Sequence, residues 1–114
     1  MQGYSRLHRF AERGSFGPIL RSPRKLRGRL AVIHVAPGRP RQSRLGLALT
    51  RRLVPLAVDR SRVKRVVREA FRRHDAKACG FDCVVTLRER FESAHLPAIA
   101  AEVGELLDRL ARGE

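Results

Sequence analysis

The chain has 114 residues, of which 43% are hydrophobic, so we expect residues 1–114 to form a single domain with one modest core. Its 25 Lys and Arg against 11 Asp and Glu give a formal net charge of +14 and a pI near 11.7, which predicts salt-dependent attraction to a polyanion. No apolar run reaches the roughly 18 to 20 residues that span a bilayer, and the N-terminus lacks a signal-type apolar segment, so we expect a cytoplasmic protein with no membrane partner.

Most of the cations are arginines, because lysine occurs only at positions 25, 64 and 77. Arginine suits bidentate phosphate contacts and stacking on bases, but a GC-rich coding sequence would also favour it, and both explanations stay open. Aromatic residues make up 5% of the chain and Trp is absent. Extended stacking of bases on aromatic side chains is therefore not expected to be the main binding mode.

The first part of the chain is basic. Residues 1–13 are polar and cationic, and we expect them to be flexible. A short helix is predicted to begin near Gly17, because apolar residues around it follow helical spacing: Phe16, Ile19 and Leu20. Residues 21–29 form a basic loop with room for a short edge strand around residues 25–26.

Two strands are predicted next, and the second has an informative alternation. Residues 30–35 form a strand by composition, and residues 44–50 form another. In the second strand the leucines face one way and the small residues face the other: Gly46, Ala48 and Thr50. Helices must cover the leucine face. The small face leaves room either for a ligand to lie along it or for another element to pack closely. We place His34 on the leucine side, at the edge of the core.

A long helix is predicted from about residue 56 to residue 74. Its apolar residues form one stripe, which Leu56 extends at the N-terminal side: Val63, Val66, Val67, Ala70 and Phe71. Four bases fall on the opposite side: Lys64, Arg65, Arg68 and Arg72. An ordinary solvated helix mixes charge signs, whereas residues 60–73 hold a single acid, Glu69. This pattern favours an anionic partner over a merely solvated face.

The remaining chain completes the fold class. Residues 81–87 form a further strand, and an apolar stripe between residues 96 and 110 predicts a C-terminal helix. Strand, helix and strand at this spacing indicate a βαβ unit in one sheet, for which the general rule is a right-handed crossover. The predicted class is α+β, a two-layer α/β sandwich of about four strands and three helices in the order αβββαβα.

The sequence offers little for hydrolysis by the protein itself. Its acids are few and scattered, and no Gly-rich phosphate loop or Ser/His/Asp order is present. Cys79 and Cys83, even with His74 and His95, match no standard zinc spacing, so we expect free thiols and no metal site. The chain is therefore predicted to bind RNA without cutting it.

Residues 57–72 carry a resemblance. The stretch Ala57-Val58-Asp59-Arg60-Ser61-Arg62-Val63-Lys64-Arg65, followed by Arg68-Glu69-Ala70-Phe71-Arg72, resembles the signature of the bacterial ribonuclease P protein component. That family shows Ala-Val-x-Arg-Asn-Arg-(Ile/Val)-Lys-Arg and then Arg-Glu-x-Phe-Arg. The chain departs from it only at Ser61, where the family has Asn. The resemblance implies a left-handed βαβ crossover in place of the usual right-handed one.

The resemblance also implies two binding surfaces. One would contact the catalytic ribonuclease P RNA through these residues: Arg60, Arg62, Lys64, Arg65, Arg68, Arg72, Arg51 and Arg52. The other would be a cleft for the single-stranded 5′ leader of precursor tRNA, lined by these residues: Phe16, Ala31, Ile33, Gly46, Ala48 and Thr50. Leu20 stands where the family has a second aromatic residue.

In that family the RNA subunit, with bound Mg²⁺, performs the hydrolysis. The resemblance therefore implies no catalytic residue and no tightly bound metal in this chain, which would be monomeric when isolated. Two other hypotheses stay open from the sequence. One is a ribosomal-type RNA-binding protein, which charge and size fit equally well. The other is a nuclease that acts without RNA, for which the sequence shows no machinery.

Overall fold

The computed structural model describes residues 16–113, apart from the side chains of residues 77 and 78. The flexible segment predicted at residues 1–13 lies outside the described residues. In chain order the elements are α1 (Gly17–Leu20), β1 (Lys25–Arg27), β2 (Ala31–Pro37), β3 (Arg44–Leu47), α2 (Ala57–Arg72), a 3₁₀ turn (Asp75–Ala78), β4 (Phe81–Leu87), a second 3₁₀ turn (Ser93–His95) and α3 (Leu96–Ala111). The predicted α+β class, with four strands and three helices, is confirmed.

The four strands form one sheet in the order β1-β2-β4-β3. β2 pairs antiparallel with both β1 and β4, and β3 pairs with β4 in parallel. Parallel neighbours need a long crossover, and α2 is the helix of that crossover. The predicted βαβ unit is therefore present, with α2 connecting the adjacent parallel strands β3 and β4.

The main core lies between α2, α3 and one face of the sheet. From α2, Val63, Val67 and Phe71 are fully buried, and α3 adds a stripe of the same kind: Ile99, Val103, Leu106, Leu107 and Leu110. One row of paired strand residues faces this core from all four strands: Leu26, Ile33, Val85 and Leu47. We call the opposite side of the sheet the second face.

The register of β2 corrects one prediction. Directly paired residues share a face of a sheet. Ile33 pairs with Val85 and belongs to the core, and Ala31 points the same way; both are fully buried there. His34 pairs with Val84, which pairs with Gly46, so His34 lies on the second face. The predictions that Ala31 and Ile33 line the cleft and that His34 is on the leucine side were wrong. An almost wholly apolar strand carries no alternation from which its phase can be read.

The alternation in β3 is confirmed, because Leu45 and Leu47 enter the core and half-buried Leu49 packs against it. The regular strand ends at Leu47, although the Ala48 amide still donates to the carbonyl of Val85 at 3.0 Å. The predicted extension of the α2 stripe by Leu56 was wrong. Leu56 is the N-cap residue, with extended backbone, and 60% of it is exposed.

Candidate nucleic-acid interface

The outward face of α2 carries a group of cations. Because Val63, Val67 and Phe71 are buried, residues half a turn away point outward. Arg62 and Arg65 are exposed, and Lys64 and Arg68 are half-buried. Within residues 16–113, the side chains of these four bases take part in no hydrogen bond or ion pair. Their charges are therefore available to an external anion. Ser61, the departure from the family signature, is exposed on the same helix.

Arg60 makes contacts within the protein in addition to the RNA contact that the resemblance implies. Its guanidinium Nη1 donates to the carbonyls of Val54 at 2.8 Å and Pro55 at 3.0 Å. These bonds fix the last part of the loop that enters α2, and Val54 is fully buried there. Arg60 thus holds the helix entry in place with the same group that would contact RNA.

Arg72 is held by a neighbouring acid. Its Nε donates to the Glu69 carboxylate at 3.1 Å, its Nη2 pairs with the same carboxylate, and Arg73 Nε donates to it at 2.8 Å. The hydrogen bond from Arg72, followed by the contact with Arg73, lowers the pKa of Glu69 to about 2. Glu69 thus offsets part of the cationic charge at the C-terminal end of α2.

Arg51 and Arg52 lie in the turn that follows β3, and both are exposed. Thr50 closes this turn, because its carbonyl accepts from the Val54 amide at 2.9 Å and its hydroxyl from the Leu53 amide at 3.3 Å. No hydrogen bond or ion pair engages either arginine side chain in the part of the chain that the structure describes. The turn therefore presents two further free cations just before the N-terminus of α2.

The second face is partly covered by α1, which contacts β2 and β4. Phe16 is the N-cap residue of α1 and is half-buried. Of the small residues predicted for a cleft, Gly46 is buried, Ala48 is half-buried and Thr50 is exposed. The structure thus places Gly46 on this face, with Ala48 and Thr50 further along the chain beyond the end of β3. Ala31 and Ile33 lie in the core instead.

Sequence reasoning missed the residues that β2 and β4 contribute to the second face: Val32, His34, Val84 and Thr86. The His34 ring Nε2 lies 2.9 Å from Thr86 Oγ1, and burial, with the charges of Lys25 and Arg27, lowers the pKa of His34. At the start of β4 on the same face, the Arg44 guanidinium donates two parallel hydrogen bonds to the Asp82 carboxylate, at 2.9 and 2.7 Å. The antiparallel register of β2 with β4 determines which of their residues share the second face, and this register cannot be obtained from each strand separately.

The structure of residues 16–113 shows how the potential metal ligands and the thiols are arranged. No group of three or more His, Cys, Asp or Glu in this range is placed to hold a metal ion. Cys83 is buried and Cys79 is exposed, and both are free thiols. None of the helices described is long and apolar enough to cross a membrane.

Together, the α+β fold and the bases of α2 that form no ion pair within residues 16–113 define a small protein with a strongly cationic helix face. The chain belongs to the ribonuclease P protein family, whose model, described as Ribonuclease P, matches residues 4–111. Membership of this family argues against the alternative of a ribosomal-type RNA-binding protein. A protein with this membership is a component of an endoribonuclease complex and has an RNA-related role.

Individual relatives agree with the family match. The chain is 31% identical to the ribonuclease P protein component of Stutzerimonas stutzeri over 97% of this chain and 86% of that protein. It is 32% identical to that of Pseudomonas fluorescens over 99% and 86% of the two chains. The RNase P protein from Thermotoga maritima superposes with a TM-score of 0.75 at 30% identity, covering 89% of this chain and 96% of that one. The Staphylococcus aureus RNase P protein, at 22% identity and the same TM-score, supports the fold alone.

Proposed function

We propose that this chain is the protein subunit of ribonuclease P, and that it binds the catalytic RNA of that enzyme and assists removal of the 5′ leader from precursor tRNA. The observation that carries this proposal is a set of bases on α2 that have no hydrogen-bond or ion-pair partner among residues 16–113: Arg62, Lys64, Arg65 and Arg68. Each would replace condensed counterions at an RNA phosphate, which favours binding and makes it salt-dependent. Neutralising phosphates also allows RNA helices to approach one another.

The roles of the individual arginines are not equal in this proposal. The four free bases of α2 and the pair Arg51 and Arg52 supply the direct phosphate contacts. Arg60 acts mainly by holding the loop that enters α2, since its guanidinium already bonds to two carbonyls. Arg72 contributes less than its position suggests, because Glu69 engages it.

Magnesium is assigned to the RNA partner on the chemistry of the side chains. A resident Mg²⁺ site would need carboxylates with free oxygens. Glu69 is engaged by two arginines and Asp82 by Arg44, and the acids of residues 16–113 form no cluster of three or more potential ligands. The residues described do not fit a metal site of the protein's own, and no hydrolytic step is assigned to this chain. The RNA-free polypeptide is expected to cleave no precursor tRNA.

The second face is proposed as the place where the single-stranded leader lies. Phe16, Gly46, Ala48 and Thr50 keep the positions that the resemblance gave them, while Val32 and His34 replace Ala31 and Ile33. A test compares precursor tRNA with mature tRNA in the reconstituted enzyme. Ala48→Leu should weaken binding of the precursor and leave binding of the mature tRNA unchanged. Equal loss for both would place the leader elsewhere.

The test of RNA binding uses two variants of equal charge. Arg62→Gln/Arg65→Gln removes two free bases of α2, and Arg29→Gln/Arg90→Gln removes two exposed arginines outside the signature helix. Affinity for an in vitro transcript of the Pseudomonas fluorescens ribonuclease P RNA is measured from 50 mM to 400 mM salt. The log–log salt slope should flatten by roughly 0.7 to 0.9 per lost phosphate contact in the α2 variant. Equal flattening in the control would show that net charge alone, and no specific face, drives binding.

A further inference from the structure

Four consecutive apolar residues are exposed at the start of α2: Pro55, Leu56, Ala57 and Val58. We call residues 55–58 the apolar shoulder. Leu56 is 60% exposed and Val58 is 56% exposed, and they are the large hydrophobic side chains that residues 16–113 leave in solvent. A single exposed aliphatic residue is ordinary on a soluble protein, whereas four in succession on a chain this polar need a physical reason.

The exposure is built into the fold. On either side of the shoulder, Val54 and Val63 are fully buried. Arg60 clamps the carbonyls of Val54 and Pro55, which fixes the chain as it enters the helix. Leu56 is therefore held as the N-cap residue with extended backbone, at φ −88° and ψ 131°, and its side chain stays in solvent. The same clamp prevents Leu56 from joining the stripe that helical spacing predicts for it.

The shoulder is continuous with the free cations. Val58 precedes Arg62 by four residues and Arg65 by seven, which places all three on the outward face of α2. Arg51 and Arg52 lie in the turn just before the shoulder. A partner that covers these bases in a rigid complex must also cover residues 55–58. That partner is anionic, because the arginines on both sides of the shoulder form no ion pair within residues 16–113 and outnumber Asp59, the acid that follows Val58.

We propose that the apolar shoulder packs against the ribose or the face of an unstacked base of the RNA that α2 binds. This proposal rests on the proposed function and adds a non-ionic contact to it. Sugar carbons and base faces are the apolar surfaces that an RNA offers beside its phosphates, and unpaired RNA exposes them. A second copy of this chain is disfavoured as the occupant, because each copy has a net charge of +14 and would bring the same cationic face.

Two paired variants test the contact. Leu56→Asn/Val58→Thr removes apolar surface, and it keeps the helix start sound because Asn is a preferred N-cap residue and Thr has the shape of Val. Leu56→Met/Val58→Ile keeps the surface apolar and is the matched control. Binding to the same P. fluorescens ribonuclease P RNA transcript is measured across the salt series, and a circular dichroism melt of each variant establishes that it is folded.

The polar pair is expected to bind roughly tenfold more weakly at every salt concentration, with an unchanged salt slope, because the lost contact releases no counterions. The apolar pair should bind like the unmodified chain. Unchanged affinity of the polar pair would overturn the contact, and so would a flattened slope, which would trace the loss to the arginines. Loss of self-association or of protein crosslinking without loss of RNA affinity would also overturn it and would assign the shoulder to a protein.

The outcomes separate this contact from the function on which it rests. If Arg62→Gln/Arg65→Gln weakens binding and flattens the slope while the polar shoulder pair does neither, RNA binding by α2 stands and the shoulder contact fails. If the arginine variant also binds normally, the proposed function itself fails.

Discussion

The fold of the β1–β2 hairpin depends on one carboxylate, and Gly28 is the residue that leaves room for it. Glu102 Oε1, on α3, accepts from the backbone amides of Leu30 at 2.8 Å and Ala31 at 2.7 Å. A Cβ added at Gly28 would overlap the Glu102 carboxylate and would lie 2.7 Å from its Cγ. Gly28 is not among the described residues with positive φ, so its backbone itself would accept Ala.

The cost of Gly28→Ala follows from these contacts. The Glu102 side chain must swing away, which releases both amides from a charged acceptor. A hydrogen bond to a charged group contributes about 1.5 to 3 kcal/mol. Since the two bonds share one oxygen at a half-buried site, we expect a total loss of about 2 to 3 kcal/mol. In a chain of this size, that lowers the melting temperature by about 8 to 12 °C.

A double-mutant cycle measured by urea denaturation isolates the effect. Gly28→Ala should cost about 2 to 3 kcal/mol in the unmodified chain. In the Glu102→Ala background it should cost nothing, or even stabilise by about 0.5 kcal/mol, because Ala restricts the unfolded chain more than Gly does. Equal costs in the two backgrounds would refute the reasoning, since the penalty would then arise from the backbone of the turn and not from the carboxylate.

Three further predictions concern separate parts of the molecule. Gly104→Ala should raise the free energy of unfolding by up to about 1 kcal/mol in urea denaturation, because a Cβ there meets no atom within 4 Å on an otherwise regular helix; a decrease would reveal a hidden packing role. Glu69→Gln should tighten RNA binding and steepen the salt slope, because it removes the negative charge that offsets Arg72 and Arg73. It should also remove a stabilising contribution that is complete above pH 4.5 and is lost as pH falls toward the pKa of about 2, which acid titration of the melting temperature would detect. A thiol reagent at pH 8 should modify Cys79 quickly and Cys83 only after denaturation, because burial raises the pKa of Cys83 to about 12; two fast equivalents would contradict this.

The parts of the fold that the sequence predicted well are those with a strong periodic signal. The α2 stripe placed Val63, Val67 and Phe71 in the core, because three buried positions at helical spacing leave no freedom in the helix rotation. The leucine alternation of β3 was equally clear. The same stripe predicts which bases point outward, since burying one face of a helix determines which residues lie on the other.

The parts that failed depend on contacts between distant segments. The phase of β2 could not be read from an apolar run and was set by its register with β4. Leu56 faces solvent because Arg60 clamps the loop before it, which is a tertiary contact. In the same way, helical spacing alone does not distinguish Arg72, which Glu69 engages, from Arg65, which is free.

The strand order has a consequence for how the chain is made. Of the strands in residues 16–113, β4 is the last to leave the ribosome, yet it lies between β2 and β3 and is the only one of them that pairs with β3. Until residue 87 has emerged, the nascent chain can form no part of this sheet beyond the small β1–β2 hairpin. The sheet is thus completed by pairing between segments distant in the sequence, a topology that is associated with slower folding.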